Sequence, residues 1–96
     1  MDRADCVASI SQFSSNLRQI GKCVEDSIKA RDIASIVDCM NKFYTALGAI
    51  SAAILGYNGI LTEQEVFKYL TTITEIEKEF RKSAMELAEE ASKNTK

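Results

Sequence analysis

The chain has 96 residues and a formal net charge of −2, with 14 acidic and 12 basic side chains and no long block of one sign. A chain of this length builds one hydrophobic core at most. Proteins that bind nucleic acid usually carry a basic stripe that displaces phosphate counterions, so the charge pattern argues against a nucleic-acid partner. The first residues lack the basic and apolar regions of a secretory signal, which predicts a cytoplasmic protein.

Proline is absent, glycine occurs only four times, and Ala, Leu, Ile, Glu and Lys are frequent. These residue types favour helix nearly everywhere and leave few turn signals. The sequence therefore predicts an all-α fold, in which residues 1–96 form a single domain built as a small antiparallel three-helix bundle.

The first helix is predicted over about residues 5–30. Its apolar side chains recur every three or four positions, which places them on one helical face, and polar side chains occupy the opposite face. The predicted seam consists of Val7, Ile10, Phe13, Leu17, Ile20, Val24 and Ile28.

A break is predicted after residue 30, because continuing the apolar stripe would place Arg31 or Asp32 in the seam. The apolar pattern resumes at Ile33. The Asp32 carboxylate can accept hydrogen bonds from the free amides of the next turn, which makes it a candidate N-cap. Neither proline nor glycine enforces this break, so one long helix to residue 56 is an alternative.

The second helix is predicted over about residues 33–55, and no charged side chain occurs in residues 43–62. From residue 45 the helix is apolar nearly all round, as expected of a helix with neighbours on several sides. The run is long enough to span a membrane. However, Gly56 and Gly59 can adopt the left-handed backbone that ends helices, which favours a buried bundle helix followed by a turn over residues 56–61.

The third helix is predicted over about residues 63–91. The Thr62 hydroxyl and the Glu65 carboxylate can cap each other's backbone amides at its start. Residues 92–96 have nothing large to bury and are predicted to fray. A second copy of the chain would bury the apolar stripes more completely, so homodimerisation is predicted. The seam of the third helix is Val66, Leu70, Ile73, Ile76, Phe80, Ala84, Leu87 and Ala91.

Histidine is absent, which removes the commonest general base and every triad that depends on it. No glycine-rich phosphate-binding motif occurs. The pairs Glu75/Glu79 and Glu86/Glu90 stand one helical turn apart, but without a histidine ligand they are better explained as a solvated face than as a metal site. The sequence predicts no catalytic residue, metal or cofactor, and a protein that is not an enzyme.

The three cysteines, Cys6, Cys23 and Cys39, form no Cys-x-x-Cys pair. An odd number of cysteines without a secretory signal predicts reduced thiols that pack as small apolar residues. A cysteine-linked dimer or a redox switch is the alternative. In that case Cys6, near the N-terminus, is expected to be the most exposed thiol.

Small residues recur at every fourth position of the second helix, where they let another backbone approach closely. Aromatic side chains flank the seam of the third helix, where they either contact a partner or close the edge of the core. The predicted partner-binding residues are Gly48, Ala52, Gly56, Tyr57, Phe67 and Tyr69.

The predicted function is protein binding, as a homodimer or as a small subunit, adaptor or inhibitor. An exported or membrane-active helical protein is the alternative. In its length, its helicity and its central Tyr57-Asn58-Gly59 the chain resembles the WXG100 family of secreted helical hairpins, with Tyr57 where that family has tryptophan. This resemblance implies an exported two-helix hairpin. A third hypothesis is an apolar-ligand carrier with a cavity beside Gly48 and Ala52.

Overall fold

A computed structural model of the protein describes residues 1–93. It contains three helices that pack against one another, α1 (Arg3–Lys29), α2 (Ile33–Gly56) and α3 (Glu63–Lys93). The predicted all-α three-helix bundle is confirmed. Three helices also differ from the two-helix hairpin that the resemblance to the WXG100 family implies.

Contacts at both ends of the bundle define the direction of the helices. Arg3, at the start of α1, forms an ion pair with Glu65, at the start of α3. At the other end, the guanidinium of Arg31 donates to the backbone carbonyl of Ala91, at 3.5 Å. Helices α1 and α3 therefore run parallel, and α2 runs antiparallel to both.

Helix α1 begins slightly earlier than predicted because Asp2 caps it. The Asp2 carboxylate accepts a hydrogen bond from the backbone amide of Asp5, and the Asp5 carboxylate accepts one from the amide of Asp2. This reciprocal pair satisfies two amides that would otherwise lack partners in the first turn.

The predicted break between α1 and α2 is confirmed, and one continuous helix is excluded. Asp32 is the N-cap of α2, and its carboxylate accepts from the backbone amide of Ser35 at 3.2 Å. Arg31 adopts a left-handed backbone with φ of 57°. Because a Cβ atom clashes in this conformation, such a residue costs about 1–2 kcal/mol relative to the right-handed form.

The turn between α2 and α3 depends on one glycine rather than two. Gly59 has φ of 100°, as predicted. Gly56 remains helical, so its predicted left-handed conformation was wrong. The reason is that the backbone amide of Tyr57 still bonds to the carbonyls of Ala53 and Ile54, which continues α2 to its last residue.

The predicted capping box at the start of α3 is confirmed. The backbone amide of Glu65 donates to the Thr62 hydroxyl, and the amide of Thr62 donates to the Glu65 carboxylate, each at 3.1 Å. Helix α3 includes Ser92 and Lys93, so the predicted fraying was wrong for these two residues. The rest of that predicted tail, residues 94–96, lies outside the described residues.

Two stacked phenylalanine rings occupy the centre of the core. Phe43 of α2 and Phe80 of α3 have ring centroids 4.0 Å apart. Gly21 of α1 lies against the stack, and a Cβ atom at this position would come within 3.1 Å of the Phe80 ring. A glycine in a helix interior costs about 1 kcal/mol relative to alanine. Here the missing side chain lets α1 approach both rings.

The buried face of α1 includes small side chains that the apolar pattern did not indicate. Small residues let the neighbouring helices approach closely. The hydroxyls of Ser14 and Ser27 donate to carbonyls one turn earlier in α1, so neither hydroxyl is buried without a partner. The small buried residues are Cys6, Ser14, Gly21 and Ser27, whereas Val7, Phe13 and Ile20 of the predicted seam are only half-buried.

Cys23 of α1 and Cys39 of α2 form a disulfide, with their Cα atoms 6.1 Å apart. The prediction of reduced thiols was wrong for this pair, because the antiparallel turn between the helices brings the two cysteines to the same level. Cys6 is a free thiol and is buried, so the expectation that it is the most exposed thiol was also wrong. Disulfides are rare in the cytosol, so this pair does not favour the predicted cytoplasmic location.

Glu65 joins the starts of α1 and α3. Its carboxylate accepts hydrogen bonds from the guanidinium of Arg3 and from the backbone amide of Thr62. Both interactions favour the charged carboxylate, so they lower the pKa of Glu65, with Arg3 the larger cause.

A carboxyl group whose pKa is lower in the folded state stabilises the fold above its unfolded-state pKa. We therefore expect the free energy of unfolding to fall as the pH drops from about 4.5, the ordinary value for glutamate, through the lower folded-state pKa of Glu65. The substitution Glu65→Gln should remove this part of the pH dependence, measured by urea unfolding at a series of acidic pH values. The exposed Glu75 gives the matched control, Glu75→Gln, which should keep the wild-type profile. Coinciding profiles for wild type and Glu65→Gln would contradict this role.

The disulfide closes a loop whose ends are 16 residues apart in sequence. Such a link restricts the unfolded chain, so we expect its reduction to lower the free energy of unfolding by about 3 kcal/mol. Urea unfolding with and without a thiol reductant measures the effect. The variant Cys23→Ser should match the reduced wild type and should not respond to reductant. Equal stability of the oxidised and reduced wild type would show that the link contributes nothing.

Candidate functional site

Helix α2 carries a second apolar stripe that no other helix of the described chain covers. Ile33, Tyr44 and Leu55 are 70%, 42% and 55% exposed, and they follow one another at intervals of 11 residues. Eleven residues make about three helical turns, so these three side chains lie on one side of α2. Val37, on the same side, is also exposed. The neighbours that the sequence predicts around this helix are therefore only partly supplied by its own chain.

An open groove lies between the first half of α2 and the last part of α3. Helix α1 packs against both of these helices, but α2 and α3 approach each other less closely. The space between them is a cavity of about 680 Å³. We call it the α2/α3 groove, and its walls include Ile33, Ile36, Met40 and Tyr44 from α2 and Arg81, Met85 and Ala88 from α3.

A hydrogen-bonded group closes one end of the α2/α3 groove. The hydroxyl of Tyr44 donates to the Glu77 carboxylate at 3.2 Å, and Nε of Arg81 lies 3.4 Å from the same oxygen. Desolvation, followed by the negative charge of Glu77, raises the pKa of Tyr44. The phenol therefore stays protonated and acts as a donor at neutral pH.

The predicted row of small residues lies on the surface of α2. Gly48, Ala52 and Gly56 are exposed, and a Cβ atom at either glycine would meet no neighbouring atom within 4 Å. The row therefore does not pack against another helix of the described chain. With Tyr44 and Leu55 it forms a continuous uncharged surface, which we call the α2 outer face.

The three aromatic residues predicted to bind a partner differ in their exposure. Phe67 is 59% exposed on α3. Tyr57 and Tyr69 are half-buried and pack against the core, and the ammonium of Lys68 lies 5.8 Å from the centre of the Tyr69 ring. The two tyrosines therefore close the edge of the core, and Phe67 is the aromatic residue that is available to a partner.

Phe67 and Met85 lie on the same side of α3. They are 18 residues apart, which corresponds to about five helical turns. Met85 is 66% exposed and belongs to the wall of the α2/α3 groove. Exposed apolar side chains therefore occur on α3 as well as on α2, although the exposed Lys78 lies between Phe67 and Met85 on the same side.

The groove is a feature that sequence reasoning missed. Its arginines, Arg31 and Arg81, belong to no motif. The cavity also lies at the opposite end of α2 from Gly48 and Ala52, so it is not where the apolar-ligand hypothesis places it. The available signal was the apolar pair Ile33 and Ile36 at the start of α2, both of which line the groove.

Within residues 1–93, the glutamate pairs form no metal site and the uncharged run forms no membrane span. Glu75, Glu79, Glu86 and Glu90 are exposed. Within residues 1–93, no group of three or more acidic or cysteine side chains is placed to hold a metal ion. None of the helices in that range combines the length and the apolar character that crossing a membrane requires.

Comparison with known proteins identified no relative of this chain. The chain matches no protein-family model, no curated protein and no solved structure. The α2 outer face and the α2/α3 groove are therefore the two surfaces from which a function can be argued.

Proposed function

We propose that the protein is a non-enzymatic protein-binding module that forms a homodimer through the α2 outer face. One observation carries the proposal: an exposed helix surface without a single charge, within the uncharged run of residues 43–62. A helix that is apolar on every side is normally covered on every side. Here the described chain covers only the side that faces the core.

Covering this surface stabilises a complex. Tyr44 and Leu55 are about half exposed, and fully burying a large apolar side chain contributes about 1.5–3 kcal/mol. Gly48, Ala52 and Gly56 lie between them and leave room for a second helix to approach at backbone distance. The surface therefore provides both apolar area and space.

A second copy of the chain fits this surface. In an antiparallel pair of α2 helices with a two-fold axis near Gly48, Tyr44 of one copy lies opposite Ala52 of the other. A large side chain then packs against a small one on each side of the axis, and no charged residues meet within residues 43–62. Two-fold symmetric pairs are the commonest protein oligomers because one surface satisfies itself.

We expect the wild-type protein to sediment as a dimer at tens of micromolar. The substitution Ala52→Glu should weaken the dimer at least about 100-fold, because a buried charge without a partner costs about 3–5 kcal/mol. Ala8 is exposed on α1, so Ala8→Glu is the matched control and should leave the dimer intact. Sedimentation velocity measures the mass, and circular dichroism checks that both variants stay helical. A monomeric wild type, or a dimeric Ala52→Glu variant, would contradict the proposal.

A further inference from the structure

We propose that the α2/α3 groove binds an amphipathic helix of another protein, one that carries carboxylates beside its apolar stripe. This inference goes beyond the proposed homodimer. It concerns the first half of α2 and the last part of α3, and the partner has a different chemistry.

The floor and walls of the groove are apolar and open. Phe80 and Met40 line it, and the walls end in Ile33 and Met85, both of which are about two-thirds exposed. Sites for small molecules enclose most of the ligand surface, which walls this open cannot do. A helix laid into a groove buries its apolar side and leaves its polar side in water, and this arrangement fits the observed opening.

The length of the groove matches a short helix. Its α3 wall runs from Arg81 to Ser92, which is about 16 Å along the helix axis. A partner segment of about three turns covers that distance. Apolar side chains at every third or fourth position of such a segment would reach the floor of the groove.

The charged residues of the groove indicate the charge of the partner. The charged residues among those that line it are Arg31, at one end, and Arg81, at the other. The neighbouring carboxylate of Glu77 already accepts from Tyr44 and from Arg81. Because a guanidinium has five N–H donors, Arg81 can bind a second carboxylate, and paired donors suit carboxylate geometry. Both ends of the groove therefore favour acidic side chains.

Arg31, which lines one end of the groove, has an unusual backbone conformation. A non-glycine residue occupies a left-handed conformation with φ of 57°, which a glycine would adopt without strain. Its guanidinium lines the groove, and its hydrogen bond to the carbonyl of Ala91 is long, at 3.5 Å. Within residues 1–93 this is the one hydrogen bond of the Arg31 side chain, and a guanidinium has five N–H donors, so it can also bind a carboxylate of the partner.

The same charges argue against a second copy of the chain in this groove. Arg31 and Arg81 are at opposite ends, so two grooves that face each other would bring arginine against arginine in either direction. Like charges that are brought together in an interface strongly disfavour binding. The groove and the α2 outer face therefore select different partners.

Binding can be measured by fluorescence anisotropy with the full-length protein and two labelled, helix-stabilised peptides. Both probes have three turns and a stripe of leucines, and one carries glutamates and the other lysines beside that stripe. We expect the glutamate peptide to bind at least ten-fold more tightly, with a difference that shrinks as salt is added. Equal binding of the two peptides, or no binding of either, would overturn the proposal.

Substitutions then locate the site. We expect Arg31→Gln and Arg81→Gln each to weaken binding of the glutamate peptide about ten-fold, the loss of one charge-assisted contact. Lys82 is exposed but does not line the groove, so Lys82→Gln is the matched control and should have no effect. If all three variants bind as tightly as the wild type, the peptide lies elsewhere and the proposal fails.

Two further variants test the role of Arg31 and whether the peptide binds at a site other than the α2 outer face. Arg31→Gly relieves the left-handed strain, so we expect it to weaken peptide binding without loss of thermal stability. A loss of stability with unchanged binding would mean that Arg31 serves only to cap α3. Ala52→Glu lies outside the groove and should still bind the glutamate peptide, which keeps a failure of the homodimer distinct from a failure of this site. Binding of the protein to phosphatidylglycerol vesicles, but not to the glutamate peptide, would reassign the groove to an anionic membrane surface.

Discussion

The stack of Phe43 on Phe80 sets the spacing of the three helices. Gly21 lets α1 press against these rings, so the core is closed on the α1 side. The rings also stand between α2 and α3 and keep these two helices apart. Phe80 consequently reaches the far side of the bundle, where it contributes to the floor of the α2/α3 groove. The same aromatic contact therefore underlies the close packing of α1 and the open groove between α2 and α3.

The remaining tertiary links reinforce this asymmetry. The ion pair between Arg3 and Glu65 attaches α1 to α3, and the disulfide from Cys23 attaches α1 to α2. Between α2 and α3, the hydrogen bond from Tyr44 to Glu77 links two side chains at the surface. Helix α1 is thus the helix to which both others are attached, and the open groove lies between α2 and α3.

The helices and their caps were predictable because their signals are local. Asp32 marks the start of α2, and Thr62 with Glu65 marks the start of α3, through hydrogen bonds to amides within one turn. The side of α2 that is exposed was not predictable. A helix with apolar residues on every side has no periodic pattern that distinguishes its buried face from its exposed face. The disulfide and the groove depend on distances between helices, which a one-dimensional pattern does not contain.

Tyr44 has a position that connects the two surfaces. It belongs to the α2 outer face and also lines the α2/α3 groove, and its hydroxyl holds Glu77 beside Arg81. A ligand on either surface that moves this ring changes the charge presented at the end of the groove. Effects of this kind are reciprocal, because each ligand alters the affinity for the other by the same factor. Self-association and recognition of an acidic helix would then be thermodynamically linked through a single phenol.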